Sequence, residues 1–320
     1  MKEVFVNQIS AGDRVTECFA LRKADLLEKD GRFRLSMELG DATGRIGAVL
    51  WDATKEHATL FQPGQIVKVR GLVGTYLDQL QVKVEKMRPA KPEEYDLGDF
   101  FRKASKAPEE FGRLLDAMIE KVENSYLKRL LGAVFDADLR QKYLSSPAGK
   151  LLHHDVIGGL AEHSLSMAEI AVRLADHYPR LNRDLLICGA LLHDIGKIWE
   201  YEIKAAIDYT DAGRLVGHIA MGDEFIVARS RTIDHFPDDL LMLVRHLILS
   251  HQGEREKGSP VVPMTPEAIF LHYIDELDAR MGAVEKIRER TGDEGWSIFS
   301  PIMERYFFFG RREDDNPSGE

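Results

Sequence analysis

The stretch GALLHDIGK, residues 189–197, runs an apolar helical segment straight into His193 and Asp194. Burying a histidine beside a carboxylate is costly unless both are paired or bound. The same problem recurs along the chain. His163, in GGLAEHSLSM, shares a helical face with Leu160, Met167, Ile170 and Leu174. His193 continues the stripe of Leu186 and Ala190. His218 stands at the start of the apolar helix in VGHIAMGDEF, and His246 and His251 lie near the end of the next, in RHLILSHQG. Asp275 lies on the face of Ala268, Leu271 and Asp278. A single buried histidine is readily explained as a satisfied core residue. Several at separate helix ends, with carboxylates on apolar faces, are satisfied together by one or two divalent ions. Imidazole and carboxylate without thiolate suit Mn, Fe, Co, Ni or Zn, with Mg a further option, and ligand type does not choose among them. Two ions sharing one carboxylate would clamp a phosphate and activate a water between them, with no protein nucleophile. Lys197, one turn beyond His193, is placed to stabilise charge on that phosphate; the plain alternative is a solvated lysine favouring a helix dipole. His153 and His154 precede the first ligand helix and read most simply as surface histidines.

The helices that must hold these groups begin after residue 107. APEEFGRLLDAMIEKV opens with Pro108 and two glutamates, as a helix N-terminus does. Further helical patterns cover 121–135, 158–178, 183–195, 218–230, 238–251, 265–290 and 297–307. The N-terminal part differs. Alternation at Phe33, Leu35, Met37 and Leu39, and at Ile46, Ala48 and Leu50, predicts strands around the Asp30-Gly31 turn and the Asp41–Gly44 connection. Two more strands are expected near 65–72 and 79–86, with a short helix at Thr54–Leu60 between the halves. About five strands in so short a span make a small closed barrel the economical solution. The chain thus reads as a multidomain protein: an all-β OB-fold-like barrel at 1–90, a Pro- and charge-rich linker at 91–104, an all-α domain at 105–310 and a tail at 311–320.

Such a barrel binds single strands by stacking bases on aromatics while basic residues track phosphates. The candidates are Phe33, Trp51 and Tyr76 with Lys23, Arg34, Arg45 and Lys68, although Phe33 and Trp51 serve equally well as core. The net charge of −10 argues against a generally basic nucleic-acid binder, but residues 1–92 carry +3 and the remainder −13. Only Cys18 and Cys188 are present, far apart in sequence and in no Cys-x-x-Cys pair, which argues against a disulfide framework or a thiolate zinc site. MKEVFVNQIS does not read as a signal peptide. No apolar run approaches the roughly 20 residues of a membrane helix, so a cytoplasmic protein without a membrane partner is expected. The RYFFFG segment is a candidate for self-association into a homo-oligomer, with closure of the core by Phe307–Phe309 as the simpler reading.

The order His163, then His193-Asp194, then Asp275 resembles the HD superfamily of metal-dependent phosphohydrolases, with His218 and His251 similar to the additional histidines of binuclear members. Joined to an OB-like barrel, the pattern resembles the YhaM family of 3′→5′ exoribonucleases over nearly the whole chain. The matching stretches include FALRKADLLEKDGRFRLSMELGDATGRIGAVLWD, LLHDIGKIWEY, GHIAMGDE, LILSHQGEREKGSPVVPMTPEA and DELDARM. The resemblance implies a first ion on His163, His193, Asp194 and Asp275. Asp194 would bridge to a second ion on His218 and His251, with His246 as ligand or supporting donor, and manganese is the favoured metal. Where it leads one to expect a second histidine after His251, this chain has Gln252. The implied activity is 3′→5′ hydrolysis of single-stranded RNA, or DNA. The alternatives are HD-type hydrolysis of small nucleotides or cyclic dinucleotides, and a non-catalytic nucleic-acid-binding protein with a degenerate metal site.

Overall fold

Five strands alternate inward apolar and outward polar side chains: β1 (Arg14–Lys29), β2 (Arg32–Gly40), β3 (Arg45–Ala53), β4 (Ile66–Tyr76) and β5 (Gln79–Pro89). The computed structural model describes residues 2–29, 31–77, 79–101, 104–149, 156–204 and 207–311, so His153 and His154 lie outside the described residues. The strands close a barrel in the order β1-β2-β3-β5-β4, the OB-fold topology, with β3 and β5 parallel and the other neighbours antiparallel. β1 serves both edges. Arg14–Ala20 pair with β4 and Ala20–Lys29 with β2, and an irregularity between Leu21 and Lys23 marks the bend. Phe19, Leu35, Leu39, Val67, Val69 and Val82 fill the interior. The short α1 (Lys55–Leu60) lies between β3 and β4.

The helical part comprises α2 (Pro108–Glu120), α3 (Ser125–Val134), α4 (Ala137–Ser145), α5 (Gly159–Ala175), α6 (Arg183–Leu192) and α7 (Lys197–Glu200). It continues with the hairpin β6 (Tyr201–Ile203) and β7 (Ile207–Tyr209), then α8 (Asp211–Leu215), α9 (His218–Ser230), α10 (Asp238–Ser250) and α11 (Pro266–Thr291). Side-chain caps set several starts: Asn124 for α3, Asp136 for α4, Asn182 for α6 and Thr265 for α11. α5 and α6 form the centre, with Leu160, Met167, Ala171, Leu186 and Ala190 fully buried. Chain contacts divide the protein into two units, Met1–Ala104 with Tyr201–Thr210, and Ser105–Glu200 with Asp211–Glu320. The β6–β7 hairpin therefore groups with the barrel, a feature the linear boundaries did not anticipate.

Two expectations need correction. Residues 297–307 form no helix. The segment carries isolated bridges, Trp296 to Phe308 and Ser300 to Arg305, and Pro301, which lacks an amide hydrogen, sits in its middle. Nor do Phe307–Phe309 simply close the core: Phe308 is 50% exposed, while Phe307 and Phe309 are half-buried and stack on each other. In addition, α4 was not expected. No helix among the described residues is long and apolar enough to cross a membrane.

Candidate metal centre

Asp194 is the geometric hub of the helical domain. It follows His193, the C-cap of α6, and its side chain is almost wholly buried. Oδ2 lies 3.2 Å from His193 Nε2 and 3.9 Å from His163 Nε2, on α5. Oδ1 lies 3.5 Å from His218 Nε2, at the start of α9, and 3.6 Å from His251 Nε2, the C-cap of α10. Asp275 Oδ1, on α11, lies 3.2 Å from His163 Nε2. The single carboxylate thus presents one oxygen to each of two ligand groups, His163–His193–Asp194 and Asp194–His218–His251.

Every imidazole is oriented by its other nitrogen. Nδ1 of His193 lies 3.0 Å from Ala190 O, and Nδ1 of His251 lies 2.8 Å from Ile248 O. Nδ1 of His163 meets Asp278 Oδ2 at 2.7 Å, and Nδ1 of His218 meets Glu200 Oε1 at 2.9 Å. With Nδ1 held in this way, Nε2 of each ring faces the carboxylates of the centre, Asp194 for His193, His218 and His251 and most closely Asp275 for His163, and is the atom placed to ligate a metal. His193 Nε2, Asp194 Oδ1 and His218 Nε2 are buried with no hydrogen-bond partner among the described residues. Convergent orphaned nitrogen and oxygen atoms, with no thiolate, are a donor set that fits divalent metal ions.

The close approach of α9 depends on Gly196. A Cβ there would overlap the His218 carbonyl oxygen and lie 2.7 Å from its carbonyl carbon and 2.9 Å from Gly222 N. The HDIGK glycine therefore lets the start of α9, and His218 with it, reach the loop that carries Asp194. Electrostatics follow from this crowding. Burial opposes ionisation of Asp194, but Lys197, whose Nζ is 2.6 Å from Oδ2, and His193 hold its carboxyl well below the usual range. Burial lowers the pKa of His163, yet the carboxylates of Asp275 and Asp278 outweigh it and lift it to about 9. Burial and the neighbouring His193 push His251 down to about 4.

The structure brings together His163, His193, Asp194, His218, His251, Asp275 and Lys197. It does not bring His246 to them. Five residues turn a helix by about 140° relative to His251, and His246 Nε2 instead accepts the Met264 N–H at 2.9 Å. Glu200 and Asp278 were missed as supporting groups. Asp278 had a signal, lying three residues after Asp275 on one face; Glu200, a lone glutamate at the end of a one-turn helix, had none.

On the barrel, Arg34 and Trp51 are paired across β2 and β3, with the guanidinium 5.5 Å from the ring and Trp51 51% exposed. Asp52, at a left-handed φ of 52°, forms a bulge beside them. Tyr76 ends β4 and is 60% exposed. The other candidates are more committed. Lys23 and Arg45 both pair with Glu38, at 3.9 and 2.9 Å. Lys68 is held by Glu94 at 3.1 Å, where Arg88 also binds. Phe33 is half-buried against the barrel core, so it packs more than it presents.

Comparison with known proteins gives two matching family models, an OB-fold nucleic acid binding domain over residues 20–90 and an HD domain over residues 160–280. With the barrel and the histidine–aspartate centre in place, these define the class: an OB-fold module joined to a domain of the metal-dependent phosphohydrolases. The 3′-5′ exoribonuclease YhaM of Oceanobacillus iheyensis is 38% identical over 264 residues, spanning 81% of this chain and 83% of that protein. The YhaM of Bacillus subtilis (strain 168) is 34% identical over 284 residues, 88% of this chain and 89% of its own. The chain belongs to the YhaM family of 3′-5′ exoribonucleases.

Proposed function

We propose that this chain is a metal-dependent 3′→5′ exoribonuclease that shortens single-stranded RNA, using two Mn²⁺ ions. The observation that carries the reading is the division of Asp194 between two ligand groups. His163, His193, Asp194 and Asp275 would hold one ion, and Asp194, His218 and His251 the other. When bound, the ions supply Lewis-acid activation of a water and of the scissile phosphodiester. The protein's own groups do the rest. Asp278 and Glu200 fix the orientation of His163 and His218. Lys197 keeps Asp194 ionised and places a fixed positive charge next to the point where phosphate charge grows. Nothing in this chemistry needs the 2′-hydroxyl, so single-stranded DNA fits the same centre.

The outer barrel face supports strand binding. Arg34 and Trp51 stand at one end of β3. Tyr76 pairs with Gln79, two residues from the Gln81 that faces Gly47, near the other end. Four residues from Gly47 to Trp51 span about 13 Å, room for two or three nucleotides stacked on these rings with the Arg34 guanidinium beside Trp51. A cytoplasmic setting is supported by two buried, unpaired cysteines, Cys18 and Cys188. Self-association fits the exposed stripe Ile269, Tyr273, Leu277 and Met281 along α11, and sedimentation velocity would read it.

The test is a 5′-labelled single-stranded RNA incubated with Mn²⁺ and either wild type or Asp194→Ala. A ladder descending from full length, absent in the variant, is expected. Mid-chain fragments, or an unchanged ladder in the variant, would overturn the proposal.

A further inference from the structure

The two ligand groups are unequal. The first joins His163, His193, Asp194 and Asp275, four residues; the second is complete after three, Asp194, His218 and His251. Beside the second stands Gln252, half-buried, with its carboxamide nitrogen 3.0 Å from His251 Nε2. Because His251 Nδ1 is directed at Ile248 O, that Nε2 carries the lone pair facing Asp194. The Gln252 side chain therefore approaches the very atom that would ligate the second ion. No other side-chain hydrogen bond holds it among the described residues.

The backbone that delivers Gln252 is fixed. His272 Nδ1 lies 2.9 Å from the His251 carbonyl oxygen. Gly253 follows at φ +80°, and a Cβ there would overlap the His272 ring. The turn is thus pinned from α11, and what freedom remains lies in the glutamine side chain. A carboxamide has two heads of nearly the same size, a nitrogen that only donates and an oxygen that accepts and can ligate. A half-turn about its last torsion, which is broad and roughly two-fold, exchanges them.

The distance is informative. Neighbouring ligands on an octahedral ion with bonds of about 2.1 Å stand about 3.0 Å apart. The 3.0 Å from the Gln252 amide to His251 Nε2 matches that edge, whereas Asp194 Oδ1 stands wider in the same group, 3.5 Å from His218 Nε2 and 3.6 Å from His251 Nε2.

We propose that the Gln252 carboxamide oxygen is the fourth protein ligand of the second cation. The inference rests on the two-ion reading above and deepens it. A site of two imidazoles, one shared carboxylate oxygen and one neutral amide oxygen is harder than one with a third imidazole. It prefers Mn²⁺ over Zn²⁺ relative to a histidine-richer site, because oxygen donors suit the harder ion. Metal choice in this chain then resides in the second site, at residue 252.

The experiment is titration of the full-length, chelator-treated protein with Mn²⁺, counting bound ions by calorimetry and by the electron paramagnetic resonance of free Mn²⁺. Wild type is expected to take up two ions. Gln252→Ala should leave the first affinity unchanged and weaken the second by about ten-fold or more. Gln252→Glu, which keeps an oxygen at the same reach, should retain the second ion at least as tightly. Gln252→His should add one imidazole nitrogen to the electron spin-echo modulation of the second ion and shift competition toward Zn²⁺. Equal thermal melting of the metal-free variants and wild type shows that folding is not the cause. If Gln252→Ala binds the second Mn²⁺ as tightly as wild type or more so, the amide is a bystander or a plug and the inference falls. If Gln252→Glu behaves as Gln252→Ala, it falls as well. Uptake of fewer than two ions by wild type would instead overturn the two-ion reading itself.

Discussion

Gly196→Ala should disable the second metal site while leaving the first intact. The added Cβ would overlap the His218 carbonyl oxygen and stand 2.7 Å from its carbonyl carbon, against the 3.4 Å at which ordinary contact begins. The start of α9 must therefore retreat by more than about 0.7 Å, since the carbonyl oxygen is closer still and the clash is with backbone and not with the end of a flexible side chain. Metal–ligand distances tolerate only about 0.2 Å, so His218 would leave bonding range of any ion shared with Asp194. His163, His193 and Asp275 come from α5, the end of α6 and α11, and none is carried by α9. Overpacking of this kind costs about 1–3 kcal/mol of stability, and displacing a ligand should cost at least as much metal affinity as losing a ligand's orienting partner, about 10–100-fold. Calorimetric Mn²⁺ titration with a thermal melt of the same sample reads both effects. A lowered melting temperature, an unchanged first ion and a weakened second are expected. Wild-type melting and wild-type binding of both ions would refute the role given to Gly196.

Three further outcomes are expected. Trp51→Ala should weaken binding of single-stranded RNA by about 1–3 kcal/mol without altering Mn²⁺ uptake, as read by fluorescence anisotropy; an unchanged affinity would remove Trp51 from the interface. Asp278→Ala removes the carboxylate on His163 Nδ1 and should weaken the first ion by about 10–100-fold, seen in the calorimetric titration as weakened uptake of one of the two ions. Arg140 pairs with Asp116 at 2.6 and 2.8 Å and donates to Gly112 O at 2.7 Å, joining α2 to α4. Arg140→Ala should cost about 1 kcal/mol at pH 7, a value held low by the exposure of Asp116. The Arg140 hydrogen bond sets the Asp116 pKa below its usual 3.8. This part of the stability is therefore present above pH 3.8 and lost as pH falls through the folded value. Urea melts of wild type and variant should converge partway at acid pH; a gap that widened on acidification would contradict the assignment.

Much of the centre was legible because its chemistry conflicts with its surroundings. His163, His193 and Asp194 interrupt apolar helical faces, and only a shared partner resolves so many buried polar groups at once. His246 shows the limit of that argument. It sits in an equally apolar helix, but its spacing from His251 turns it away, and a backbone amide near α11 satisfies it. Glu200 and the β6–β7 hairpin left no pattern, since one residue or three-residue strands have no period to detect. Residues 297–307 carry apolar side chains at helical intervals, yet Pro301 denies a helix the amide it needs there. On the barrel, alternation identified the strands, but the ion pairs that occupy Lys23, Arg45 and Lys68 depend on which strands become neighbours. Gln252 was visible as a departure from the expected histidine, and only its approach to His251 Nε2 gave it a chemical role.

The central claim is that Asp194 bridges two ions. Electron paramagnetic resonance of the Mn²⁺-loaded protein tests it most directly, because ions sharing a carboxylate couple magnetically. An exchange-coupled pair in wild type, replaced by isolated-ion spectra in Asp194→Ala, is the predicted result. Two uncoupled ions in wild type, or a single ion at saturating Mn²⁺, would contradict the account.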